Sequence, residues 1–184
     1  MTSIHKYSSI ENSELCHPAH SVDFDIFSDM VNGFTRSKEW EPIEVEIIHE
    51  DESGKLCYSD APWLGSHAPI FRRRTLSLLE DLLRGHGEFL PLACEEEDLY
   101  VFNVTRLINA LDVQNSTVSR FSSGKLMRIT QYSFHEDRLH GAVLFKIPDL
   151  RVSPVFCSQI FVDSWRSAGF TGLDFPLIWR SPTG

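Results

Sequence analysis

The chain lacks any stretch of about 18 apolar residues, the length a helix needs to cross a bilayer. Its opening, MTSIHKYSSIENSELCHPAH, holds neither a basic start nor an apolar run, so no secretory signal is read there. A soluble cytoplasmic protein with no membrane partner is expected. Asn103-Val104-Thr105 and Asn115-Ser116-Thr117 fit the glycosylation sequon, but without a secretory route they imply only local polarity. Cations are scarce as well: 17 Lys and Arg stand against 26 Asp and Glu, a formal charge of −9. Phosphate contacts need clustered Lys and Arg, so no nucleic-acid partner is expected, and a basic partner fits better than an acidic one.

The usual signatures of chemistry are missing too. Cys16, Cys57, Cys94 and Cys157 include no C-x-x-C, which leaves neither a zinc ribbon nor a thioredoxin motif. In a reducing cytoplasm they read most simply as buried free thiols. Cys16-His17-Pro18-Ala19-His20, and His135 with His140, offer metal-ligand residue types, but no second half-site of suitable spacing accompanies them. G-x-S-x-G is absent, with Gly65-Ser66-His67 the nearest fragment, and Gly85-His86-Gly87 is too short for a dinucleotide fingerprint. No Walker sequence occurs, so no catalytic residue, metal site or cofactor is assigned. A pairing of Cys157 with His135 or His140 in space stays open, because such constellations are assembled by the fold.

What is present is a pattern used twice. Residues 68–92 and 153–177 align without a gap, matching at Pro69/Pro154, Phe71/Phe156, Gly87/Gly172, Pro91/Pro176 and Leu92/Leu177. Each copy reads as strand, helix, strand. In the first, Leu76, Leu79 and Leu83 recur at helical spacing, with Gly85 and Gly87 as terminators; in the second, Ser158 is an N-cap before Phe161, Trp165 and Ala168. Arg72-Arg73-Arg74 opens the first helix against its dipole and is read as facing solvent or a partner.

Around these units, Ile43-Glu44-Val45-Glu46-Ile47 alternates as a half-buried strand, Glu52–Lys55 is a turn and Leu56–Tyr58 a returning strand. Leu99–Val104 is a strand by content, while Leu107, Ile108 and Leu111 suggest a short helix. Ser122–Lys125 predicts a hairpin joining Ser119–Phe121 to Leu126–Phe134, and Ala142–Ile147 is a further strand. Residues 1–40 are polar and irregular, with Val22–Ile26 alternating as a strand and Ile26, Phe27, Met30, Val31 and Phe34 at helical spacing. The expected fold is α+β: an antiparallel or mixed sheet with a few short helices and two similar strand–helix–strand units. An irregular segment 1–40 would pack on a main domain 41–184.

The succession DAPWLGSHAPIFRRR, GEFLPL at 87–92, VFNVTRLINALD at 101–112, GKLMRITQYSFHEDRLHGAVLFKIPDL at 124–150 and SPVFCSQIFVDSWRSAGFTGLDFPLIW at 153–179 resembles the bacterial immunity proteins of family eleven, formerly a domain of unknown function. The resemblance runs from about Trp40 to Trp179, and the first forty residues depart from it. It implies a cytoplasmic antitoxin of a polymorphic toxin system that binds and neutralises a cognate toxin, with no catalytic residues to carry over. The matching motifs are scaffold, so specificity is expected in the loops between them.

Glu50-Asp51-Glu52 and Glu95-Glu96-Glu97-Asp98 are acidic loop runs beside strands, and they become the candidate partner-binding residues for a basic toxin domain. Each run reads equally as a solvated loop. Trp63, like Trp40, lies in a loop beside proline, where an aromatic serves as an interface anchor or as a core plug. The Cys and His residues leave a second class open, a small enzyme or metal-binding protein, and a scaffolding module of a larger assembly is the third.

Overall fold

The computed structural model of the chain describes residues 1–29, 33–150 and 152–182. The polar opening stretch forms strands where its composition reads as irregular: β1 (Ser3–Lys6), β2 (Ser8–Ser9) and β3 (Leu15–Pro18). Each finds its partner far along the chain, which local patterning does not reveal. The alternating stretch at 22–26 is not a strand. A 3-10 turn over Ser21–Asp23 runs into helix α1 (Phe24–Ser28), which buries only Phe27. Met30 and Val31, grouped above with Phe27 and Phe34, lie outside the described residues.

Strand β4 (Val45–Ile48) follows the alternation of its sequence, with Ile43, Val45 and Ile47 buried and Glu44 and Glu46 turned outward. It pairs antiparallel with β3, Cys16 opposite Ile47. The turn at Glu52-Ser53 then joins β5 (Glu50–Asp51) to β6 (Gly54–Lys55). Leu56–Tyr58 contributes no strand, only a bridge from Cys57 to Ser13.

The first repeated unit is β7 (Ile70–Arg72), α2 (Arg73–Leu83) and β8 (Gly87–Pro91). Thr75, Leu79 and Leu83 form the buried stripe, and Leu76 is only half-buried. Gly85 makes the left-handed turn after the helix, with φ of 82°. Gly87 is needed for a different reason: a Cβ there would lie 2.3 Å from the Asn103 carbonyl oxygen, blocking the approach of β8 to β9 (Leu99–Val104). β9 sits between β7 and β8 in an antiparallel three-stranded sheet.

Residues 107–111 are extended rather than helical. Apart from a local bond from Ala110 N to Ile108 O, the segment bonds to neighbouring strands, Ile108 N donating to Lys146 O at 2.9 Å and Ala110 O accepting from His135 N at 2.8 Å, while Leu111 bridges Phe134. The predicted hairpin is present as β10 (Thr117–Arg120) against β11 (Leu126–Gln131), and β12 is short (Leu144–Phe145). The second unit follows as β13 (Phe156–Ser158), α3 (Gln159–Ser167) and β14 (Leu173–Asp174), before β15 (Leu177–Arg180). Ser158 occupies the N-cap position of α3 but makes no side-chain capping bond.

The architecture is α+β, with short helices and antiparallel sheets. The largest sheet has the order β12-β13-β1-β15, so the N-terminal strand lies between two strands from the far end of the chain. Equivalent phenylalanines of the two units, Phe71 and Phe156, are both wholly buried. α2 and α3 share one core, in which Phe71, Leu79 and Leu83 pack with Phe161, Val162 and Trp165. Burying a large apolar side chain of this kind contributes on the order of 1.5–3 kcal/mol. A second core holds Ile4, Phe145 and Phe156 with Leu126 and Ile129 of the hairpin. A third, built from Phe27, Ile43, Val45, Ile47, Ile70, Leu90, Leu99 and Val101, carries the surface considered next.

Candidate functional site

The surface is organised around a buried ion pair. Arg72 is the last residue of β7, where strand pairing turns its side chain inward, and its side chain is only 3% exposed. Its Nη2 donates to Glu14 Oε2 at 2.6 Å, its Nε donates to Ser59 O at 2.7 Å, and Glu97 faces Nη1. The guanidinium also lies 4.5 Å from the centroid of the Tyr58 ring. Burial works against the charge of Arg72, but the bonds to Glu97 and Glu14 more than offset it and hold its pKa up. The reading of the arginine run as solvent-facing is therefore corrected for Arg72. Arg73 is exposed and donates from Nε to Asp98 Oδ2 at 2.7 Å, and Arg74 lies 3.5 Å from buried Asp60.

His49 extends this network outward. Its Nδ1 is 2.8 Å from Glu14 Oε1 and its Nε2 is 2.8 Å from Glu96 Oε2. With a carboxylate at each nitrogen both must donate, and the bonds to Glu96 and Glu14 raise the pKa of His49 accordingly. Because His49 immediately precedes Glu50, this contact joins the two acidic runs into one surface. Within it Glu96, Glu97 and Asp98 each face a cation, namely His49, Arg72 and Arg73. Glu50, Asp51, Glu52 and Glu95 are exposed and make no ion pair among the described residues. Bonds from the Ser53 hydroxyl and amide, at 2.5 and 2.7 Å, hold the Asp51 carboxyl below its ordinary range.

Two further carboxylates belong to the same face. Glu44 and Glu46 project from β4 over a groove of about 320 Å³ whose other wall is Ala93, Cys94, Glu95 and Glu96. Val45 N donates to Ala93 O, and Ala93 N to Ile43 O, each at 2.9 Å, which fixes the two walls together. Trp63 is tied to the same region through its backbone, its N donating to Glu14 O at 2.9 Å. Its half-buried ring turns the other way and stacks on Tyr7 at 5.5 Å. Glu14 and His49 carry no local signal of their role, because the contacts that define them cross from one part of the chain to another. The outward pair Glu44 and Glu46 is readable from alternation alone.

Two of the four free thiols, Cys16 and Cys157, are placed for packing, whereas Cys94 is half-buried and Cys57 is exposed, which corrects the expectation that all four are buried. Cys157 is wholly buried, and burial pushes its pKa well above the ordinary thiol range; Cys16 is raised to about 12, chiefly by burial. A nucleophile needs the opposite shift. Lys146 is also wholly buried, which drives its pKa down to about 7. Among the described residues no three His, Cys, Asp or Glu side chains converge to hold a metal ion, and no helix is long and apolar enough to cross a membrane.

Residues 93–178, just under half of the chain, match the model of an immunity protein family (Imm11). The matched segment includes Glu95–Asp98 and runs from β9 through the second strand–helix–strand unit into β15. The motifs DAPWLGSHAPIF and GEFLPL, the run Glu50–Glu52 and Arg72 precede it. No curated protein matches the chain.

Proposed function

We propose that this chain is a non-enzymatic immunity protein that acts in the cytoplasm, binding a cognate toxin domain of a polymorphic toxin system and covering its active site. The convergence of Glu50–Glu52 and Glu95–Asp98 on one exposed surface through His49 carries the reading of where the toxin docks. The immunity-family match over residues 93–178 supports the reading of what is bound. A surface of this sign attracts a basic partner and speeds its association, in a manner that added salt weakens. Glu50, Asp51, Glu52 and Glu95 supply uncompensated charge, while Glu96, Glu97 and Asp98 present a turn already held in shape. Trp63 marks the margin where this surface meets the core.

Co-expression tests the reading. The chain should rescue growth from the toxicity of the protein encoded beside it, and the two should co-purify. The absence of both rescue and co-purification would sink the proposal. Reversing Glu50, Glu52 and Glu95 to Lys should slow association several-fold at low salt and flatten its salt dependence; unchanged kinetics would move the interface elsewhere.

A further inference from the structure

The acidic groove has an apolar neighbour at the other end of the same strand segment. A cup of about 430 Å³ is lined by Ile26, Phe34, Trp40 and Ile43 together with the charged Arg36, Glu39 and Glu41. It ends at Ile43, and the groove between β4 and residues 93–96 begins at Glu44, so the two form one continuous surface.

Local structure explains why apolar groups stand here in the open. Helix α1 has only five residues and sends Phe27 alone into the core. Val22, Phe24 and Ile26 are left 72%, 41% and 38% exposed, and Phe34 across the cup is 70% exposed. Clustered exposure of this kind marks an interaction surface more often than scattered single residues do. The floor is rigid. Trp40 packs on the third core and its Nε1 donates to Pro91 O at 2.7 Å, while Arg36 donates from Nη2 to Asp29 O at 2.8 Å. A fixed aromatic floor, exposed apolar walls and a charged rim is the arrangement in which a few buried contacts carry most of an interface's affinity.

Resting on the immunity reading, we propose that this cup receives an aromatic or branched aliphatic side chain of the toxin, flanked by Lys or Arg residues that lie along Glu44, Glu46 and Glu95. Charge complementarity selects that occupant. Among the described residues Glu39 and Glu41 make no ion pair and Glu44 faces exposed His20 at 3.6 Å; Arg36 also lines the cup, its Nη2 held by Asp29 O, so carboxylates outnumber cations along the strip and disfavour an acidic segment. The apolar anchor sets how long the complex lasts, and the acidic strip sets how quickly it forms.

The test uses the full chain and an inactivated form of the toxin domain encoded beside it. Phe34→Ser should weaken binding ten-fold or more, almost entirely in the dissociation rate, and Glu39→Lys with Glu41→Lys should slow association several-fold at low salt. Leu78→Ser and Ile160→Ser, exposed apolar positions on α2 and α3, should leave both rates unchanged. Hydrogen exchange of the wild-type complex should slow across residues 22–29 and 34–43, a readout that does not depend on any variant folding. Tight wild-type binding with no protection there and no effect of Phe34→Ser would overturn the cup while leaving the immunity reading standing. No binding by the wild type would remove both.

Discussion

The two acidic runs look alike in sequence and are built differently. Glu96, Glu97 and Asp98 each meet a cation, and two of those cations reach back to the buried carboxylate of Glu14. Glu50, Asp51 and Glu52 sit on a hairpin with a two-residue turn, where Lys55 stands opposite Glu50 in the ladder and none of the three makes an ion pair among the described residues. One run is an exposed turn tied to the fold by ion pairs and the other is a tethered charge. Equal charge density therefore conceals unequal roles: altering the first should change stability, and altering the second should change encounter with a partner.

The sharpest way to break this contrast is at its centre. Arg72→Met leaves Glu14 buried without its strongest partner and should lower stability by about 3–5 kcal/mol, read by urea unfolding. If the loss comes from the stranded carboxylate, adding Glu14→Gln should recover part of it, and a strictly additive double variant would refute that account.

His49 gives the next effect, visible in pH rather than in total stability. Its folded pKa is raised, so its contribution is fully present below the unfolded value near 6.5 and is lost as pH rises through the folded value. Lys146, depressed to about 7, acts with the opposite sign, adding stability as pH climbs from there toward 10.5. Comparing His49→Gln with wild type between pH 6 and 8 isolates the first contribution. The variant should lose the decline that His49 imposes, and identical slopes would show that the bridge between the two runs is energetically silent. Nearly half of the His49 side chain is exposed, so solvent screening keeps this effect well below that of Arg72.

The smallest effect is expected at the free run. Glu50→Gln with Glu52→Gln should leave the unfolding midpoint unchanged while slowing toxin association at low salt; a shifted midpoint would mean that this run too is structural.

Much of the scaffold was readable in advance, and the reasons differ by element. Leu99–Val104, the 119–134 hairpin and the two strand–helix–strand units are specified by nearby residues: β-branched content, a Ser-Gly turn, helical spacing ended by glycine. Residues 107–111 misled because Leu107, Ile108 and Leu111 recur at a spacing that also suits an extended segment touching different neighbours. Ser3–Lys6 gave no signal, since three of its four residues, Ser3, His5 and Lys6, are polar or charged and its burial is decided by strands more than 150 positions away in the register His5 to Cys157. The surface was half legible. Its carboxylates announce themselves, but nothing local says that Arg72 turns inward or that His49 bridges two of them.

The placement of β1 between β13 and β15 has a consequence for how this molecule comes into being. Ile4 is made more than 150 residues before the strands that flank it, around Ser158 and Trp179. Closure over so long a span is entropically demanding and slow compared with local hairpins and helices. Until those partners are made β1 must wait as an unpaired edge, and the four-stranded sheet can be completed only after residues 177–180 have been synthesised. Closing this sheet is therefore a late step in folding, timed by how long β15 takes to find β1.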